Sequence, residues 1–193
     1  MNTEPSKLPY RGTTRPAAVG WTRIGVTFGA GIIIAAISLL RAEQFGTAWA
    51  MIALTIFTGM AMWSYIRMVT TFTVDKHGIT VRWGGFWPQR TWPASQFRSV
   101  HLREIPSSIL GVTVGGVGWR RGRVMAPEIS QLRPVGGLKI FTTGNKQDQA
   151  RMLVTRPGTQ VEIITTDGGV YLISPDNPVA TGEAVAEVIR TRK

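Results

Sequence analysis

The sequence predicts an α+β protein in which an N-terminal two-helix transmembrane hairpin precedes a small β-barrel with a C-terminal capping helix. Three observations lead there. Two long uncharged apolar runs lie ahead of Arg67, apolar/polar alternation then marks two β-hairpins, and the period turns helical only near the end. The average conceals this division, because the mean hydropathy of the 193 residues is only +0.06. Residues 1–20 read as a cytoplasmic tail, 21–69 as the membrane hairpin, and 70–193 as one cytoplasmic domain large enough to bury its own core.

From Ile24 to Leu40 the chain carries no charge. With Trp21 ahead of this run the helix reaches about 30 Å, the thickness of a hydrocarbon core. Ala48 to Ile66 is likewise uncharged, with Trp49 near one end and Trp63 and Tyr65 near the other, where aromatic rings prefer the membrane interface. Arg41 to Thr47 is a short link, so the spans are expected to be antiparallel neighbours. Lys7, Arg11, Arg15, Arg23 and Arg67 flank the open end, whereas the link holds one Arg and one Glu. That bias puts both termini in the cytoplasm. A cleaved signal peptide is the competing reading of the first run, but the run starts late and no small-residue cleavage pattern follows Leu40. Gly25 and Gly29 form a GxxxG pair, read as packing within the hairpin in preference to a dimerisation face.

Beyond the spans, Phe72 and Val74 alternate with polar residues, Asp75-Lys76-His77-Gly78 supplies turn chemistry, and Ile79, Val81 and Trp83 resume the alternation. Val161 to Thr165 and Val170 to Ser174 flank a second turn, Thr166-Asp167-Gly168-Gly169. Weaker strands are expected around Arg90–Trp92, Phe97–Arg103, Leu138–Thr142 and Met152–Thr155. Asn177 then offers an N-cap and Pro178 a first helical residue, after which Thr181, Val185, Val188 and Ile189 share one helical face. About seven strands closed by a last helix form a small barrel capped at one open end.

The order of GITVRWGG, WPASQFRSVHLREI, GVGWRRG, LVTRPGTQVEIITTDGGVYLIS and DNP opening the last helix resembles the bacterial pleckstrin-homology-like domains attached to membrane hairpins. The likeness spans roughly Phe72 to Arg190 and implies a PH-like barrel. It carries no reaction and no catalytic residues with it, and the Gly-rich stretch from Gly111 to Gly144 departs from the pattern.

Little in the sequence points to catalysis. There is no cysteine, which removes disulfides, thiolate metal sites and cysteine nucleophiles. Gly111 to Gly122 lacks the ending of a phosphate loop and the spacing of a dinucleotide site, so a loop or bulged strand is expected. Asn145-Lys146-Gln147-Asp148 matches a guanine-reading tetrapeptide in isolation and reads as a polar turn. His77 and His101 are the two histidines, expected as an exposed turn residue and a half-buried strand residue near Glu104, too few for a metal site. No catalytic, cofactor-binding or metal-binding residue is therefore assigned, and no cofactor is expected.

Charge is more informative. Residues 70–193 hold 16 Lys plus Arg against 9 Asp plus Glu, a net +7. Arg120, Arg121 and Arg123 cluster beside Trp119, with Arg133 farther on. Beside a cytoplasmic leaflet each near-surface charge contributes on the order of 1 kcal/mol toward anionic lipid headgroups, and tethering makes weak contact effective. Nucleic acid explains the charge less economically, since no RNP-like aromatic motif is present. The expected function is a non-catalytic, membrane-anchored PH-like module that binds a protein partner or anionic headgroups at a bacterial plasma membrane, through Trp119, Arg120, Arg121, Arg123 and Arg133. The alternative is an accessory subunit of a larger membrane enzyme or transporter, recognised through its hairpin. An enzyme assembled from distant residues is a third class, which would show as a polar pocket of convergent titratable groups.

Overall fold

A computed structural model describes residues 8–41, 46–105, 118–125, 132–135 and 147–192. Among the described residues three helices and two sheets make up an α+β architecture, with a helix pair near the N-terminus and one helix near the C-terminus. Strand β1 (Tyr10–Thr14) leads into α1 (Ala18–Leu40), and α2 (Gly46–Met68) leads into β2 (Thr70–Asp75). The tail expected over residues 1–20 is thus in part a strand. Too short and polar to be recognised by pattern, β1 exists because β2 offers it a partner.

At 23 residues each, α1 and α2 are about 34 Å long, and both are apolar enough, by length and composition, to cross a membrane. Their contacts run in opposite directions: Gly20 meets Met68, Gly31 meets Phe57 and Gly46 meets the Ser38 carbonyl, so the helices are antiparallel. The Gly25 and Gly29 pair takes no part. A Cβ on either would touch nothing within 4 Å, so the small residues that close the hairpin are Gly20, Gly31 and Gly46 and the expectation for the pair is corrected. Helix hydroxyls turn inward on the backbone: Thr22, Thr27, Ser38 and Thr55 donate to the carbonyls of Ala18, Arg23, Ile34 and Met51 at 2.8–2.9 Å. These hydroxyls need no water.

The first sheet runs β1-β2-β3-β4, with β5 also on β3, where β3 is Gly78–Trp83, β4 Trp87–Pro88 and β5 Trp92–Pro93. Asp75 makes the β2–β3 turn by accepting the His77 and Gly78 amides at 2.7 and 3.1 Å. After a short 3-10 turn (Ala94–Gln96) come β6 (Phe97–Ile105), β7 (Gly118–Met125), β8 (Leu132–Pro134), β9 (Gln147–Val154), β10 (Gly158–Thr165) and β11 (Val170–Ile173). They form a second sheet of order β7-β9-β11-β10-β6-β8, in which β9 and β11 run parallel. Both expected hairpins are present as β2–β3 and β10–β11. The strand expected at Leu138–Thr142 lies outside the described residues.

One core fills the space between the sheets. Phe72, Val74, Ile79 and Val81 from the first meet Val100, Val161, Ile163 and Ile173 from the second. Trp92 stacks on Tyr171 across that gap, ring centroids 4.4 Å apart and 7° from parallel. The last helix, α3 (Pro178–Thr191), lies on β6 and reaches β10, β1 and β2. The Asn177 side chain caps it by accepting the Ala180 amide at 3.1 Å, and the expected face of Thr181, Val185, Val188 and Ile189 is buried.

Candidate functional site at the base of the helix pair

The most elaborate arrangement in the molecule is where the helices enter the sheets. Only Arg15 to Ala17 separate β1 from α1, and only Val69 separates α2 from β2. These two strands pair antiparallel, Tyr10 opposite Val74 through Thr14 opposite Thr70, so both ends of the helix pair are stitched into one ladder. The Thr14 and Thr70 hydroxyls meet at 2.6 Å. Gly12 lies opposite Phe72, and a Cβ there would stand 2.2 Å from the ring, so the close approach requires glycine.

A second set of bonds ties the same entry to the six-stranded sheet. The Ala17 amide donates to the Thr155 carbonyl at 3.2 Å, and the Thr155 hydroxyl donates to the Arg15 carbonyl at 2.9 Å. Asp176, in the turn before α3, gives its amide to the Thr13 carbonyl, accepts the Thr13 hydroxyl and pairs with Arg156 at 2.9 Å.

On the α2 side the β3–β4 turn closes over the helix end. The Gly84 amide faces the carbonyls of Val69 at 2.8 Å and Ile66 at 3.0 Å. Gly84 and Gly85 have φ of +58° and +84°, which glycine adopts without a Cβ clash. Trp83 meets Trp63 edge to face at 6.1 Å, and the Arg67 guanidinium lies over Trp83 at 5.6 Å, a contact of about 0.5–1 kcal/mol. Trp21 and Tyr65 pair across the helices at 5.9 Å. They stand at the foot of an apolar groove of about 400 Å³, which also takes in Gly25, Phe28, Ala61 and Met62.

No protein-family model, curated protein or solved structure matches the chain. The site is therefore read from its geometry alone.

The basic residues singled out in the sequence are divided. Trp119, Arg120, Arg121 and Arg123 lie on β7, where Arg120 is in register with Met152 and Arg123 with Gln149. Arg133 is exposed on β8. Those two strands are the opposite edges of one sheet, five strand spacings apart, about 24 Å measured along it. The structure does not gather the five residues into one patch. Of the guanine-type tetrapeptide, Gln147 and Asp148 open β9 and the other two residues are outside the described set.

Sequence reasoning missed a buried polar trio built on an Arg–Glu ion pair. His101 and Glu162 sit opposite each other on β6 and β10, on the face turned away from the shared core. Glu162 lies between His101 Nε2 at 3.2 Å and Arg103 Nη1 at 3.6 Å, all three side chains 4% exposed or less. The His101 contact is an ion-pair distance without hydrogen-bond alignment. His101 lies on a strand with Glu104, as expected, but is fully buried where a half-buried residue was expected; Glu104 accepts the Thr159 hydroxyl at 2.7 Å. His77 is exposed in its turn, as expected. Strand alternation alone puts His101 and Arg103 on one face, but only the register of a partner 61 positions on brings Glu162 to them. Among the described residues no group of three His, Cys, Asp or Glu is arranged to hold a metal. The trio belongs to the sheet's own packing.

Proposed function

We propose that the chain is a membrane-anchored, non-catalytic interaction module: α1 and α2 span the bilayer, and the two sheets with α3 form a PH-like unit held at the cytoplasmic face. The observation that carries the reading is the outward apolar surface of the helix pair, joined at both ends to one β-ladder. Ile32, Ile33, Leu40, Met51, Ile56 and Met62 are all exposed on the two helices, uncovered by the other described residues. A surface of that size in a monomer calls for lipid or protein against it. Two sheets around one core with a helix across them support the PH-like part, while the parallel β9–β11 pair is a departure from it. Headgroup or partner binding falls to β7, the edge strand on which Trp119, Arg120, Arg121 and Arg123 lie.

A second reading, an accessory subunit recognised through the helix pair, is favoured by one observation. Gly25, Gly29 and Gly59 have no neighbour where a Cβ would be, which leaves room for close approach by another helix.

The test is purification of the intact chain from its native membrane in mild detergent, followed by a salt wash and mass spectrometry of retained protein and phospholipid. Anionic lipid that is lost when Arg120→Gln, Arg121→Gln and Arg123→Gln are combined supports headgroup binding. A stoichiometric membrane protein that is lost when the helix pair is exchanged for an unrelated one supports the accessory reading. Extraction of the chain without detergent, in monodisperse form, overturns the anchor.

A further inference from the structure

Among the described residues, every exposed large apolar side chain belongs to α1 or α2 except Phe86, Trp87 and Val179. Phe86 ends the β3–β4 turn and Trp87 opens β4 beside it, 65% and 53% exposed, and neither belongs to the core. Single exposed apolar residues need no explanation, but an adjacent Phe–Trp pair on a glycine-built turn spends its largest side chains outside the fold.

The position of that turn is fixed. Gly84 is held to the Val69 and Ile66 carbonyls, so the turn lies level with the last turn of α2. Trp63 and Tyr65, on that end of α2, are themselves exposed aromatics. Arg82 and Arg90, both exposed, flank the turn in sequence. Aromatic rings at a helix end with basic residues beside them match the chemistry of a membrane interface, where rings sit among headgroups and cations meet phosphates.

We propose that the Gly84–Trp87 turn is a second membrane contact: Phe86 and Trp87 enter the headgroup boundary of the leaflet from which α2 emerges, and Arg82 and Arg90 meet its anionic phosphates. The proposal rests on the anchoring reading above. It adds that the sheets are docked on the bilayer at a fixed tilt, and are not merely tethered to it. Because the anchor already confines the turn near the surface, little association entropy remains to oppose the contact.

The absence of native cysteine makes the test direct. Phe86→Cys, Trp87→Cys, Lys76→Cys and Ile33→Cys are made singly in the full chain and labelled with a nitroxide. Each is reconstituted in vesicles of phosphatidylcholine mixed with phosphatidylglycerol, and collision with oxygen is compared with collision with a water-soluble nickel chelate. Lys76 reports water, since its turn is at the far end of β2, about 17 Å from the helix exit. Ile33 reports the anchor. Oxygen-dominated relaxation at 86, 87 and 33 with chelate-dominated relaxation at 76 is the expected result. Chelate-dominated relaxation at 86 and 87 with oxygen still dominant at 33 overturns the docking and leaves the anchor standing. Chelate dominance at all four sites overturns the anchor and the docking together. With the label at 86, Arg82→Gln plus Arg90→Gln should abolish the gain in oxygen access that phosphatidylglycerol gives over pure phosphatidylcholine. A gain that survives those changes overturns the phosphate contact.

Discussion

Ile33 on α1 is 61% exposed whereas Ile79 on β3 is fully buried, although both are isoleucines within regular secondary structure. The contrast holds for the regions they represent. The helix pair presents its large apolar side chains outward and binds the hydroxyls of Thr22, Thr27, Ser38 and Thr55 within each helix. The sheets turn theirs inward around Phe72, Trp92 and Ile163 and pair their backbones between strands. A helix is complete in its main-chain hydrogen bonds without neighbours, and a strand is not. The same residue types are therefore placed in two ways, outward on the helix pair and inward between the sheets.

Four changes test how sharp that contrast is. The largest effect is expected inside the second sheet, where Glu162→Ala removes the carboxylate between His101 and Arg103. Breaking a buried ion pair costs about 3–5 kcal/mol. Thermal unfolding of the detergent-solubilised chain should show a large loss of stability, and Glu104→Ala, on an exposed neighbour, almost none. Equal losses from the two would deny the trio its structural weight. Next comes the helix pair. Ile33→Asp puts a carboxylate at mid-helix and should cost about 3 kcal/mol of membrane insertion, read as a reduced membrane-bound fraction, whereas Ile33→Ala should leave the unfolding midpoint of the sheets in place. An undiminished membrane fraction for Ile33→Asp would mean that α1 faces water or protein and not lipid.

At the junction the expected loss is smaller. Gly12→Ala sets a Cβ against the Phe72 ring, and overpacking of this kind costs about 1–3 kcal/mol. Amide exchange across β1 and β2 should accelerate with the helices unaffected; acceleration throughout the helix pair as well would show that the two regions unfold as one. The smallest effect belongs to the β10–β11 turn. The Thr165 hydroxyl, and after it the Gly169 amide, bind the Asp167 carboxylate and hold it below its ordinary value of 3.8. A depressed carboxylate stabilises the fold above its unfolded value and loses that contribution as pH falls through the folded one. The difference in unfolding midpoint between the native chain and Asp167→Asn should therefore be constant near neutrality, start to shrink below about pH 4 and disappear only as pH falls past the lower folded value. A difference that grew with acid would reverse the assignment.

Much of the architecture was legible because it rests on local signals. The two apolar runs, the Asp75 and Asp167 turns and the Asn177 cap each act within a few residues, and each marks a boundary seen in the structure. What stayed illegible depends on partners far along the chain. Strand β1 carries no alternation of its own and is specified by β2 beyond both helices. Parallel pairing of β9 with β11 follows from tertiary register, as does the meeting of His101 with Glu162. Sequence proximity also misled: Arg133 follows Arg123 by ten positions but occupies the opposite edge of the sheet. The GxxxG spacing likewise named the outward glycines, Gly25 and Gly29, because spacing alone does not give the rotation of a helix about its axis.

The pairing of β1 with β2 has a consequence for how the protein is made. Thr14 and Thr70 stand 56 positions apart, and everything between them is helix pair and link. During synthesis β1 emerges first and has no strand to join until both helices and β2 have followed it. Completion of the first sheet thus waits on the return of the chain from its excursion, a long loop closure that must precede any reward from the ladder. A fragment started at residue 70 would leave the outer side of β2 as a bare strand edge, the form in which sheets recruit one another and aggregate.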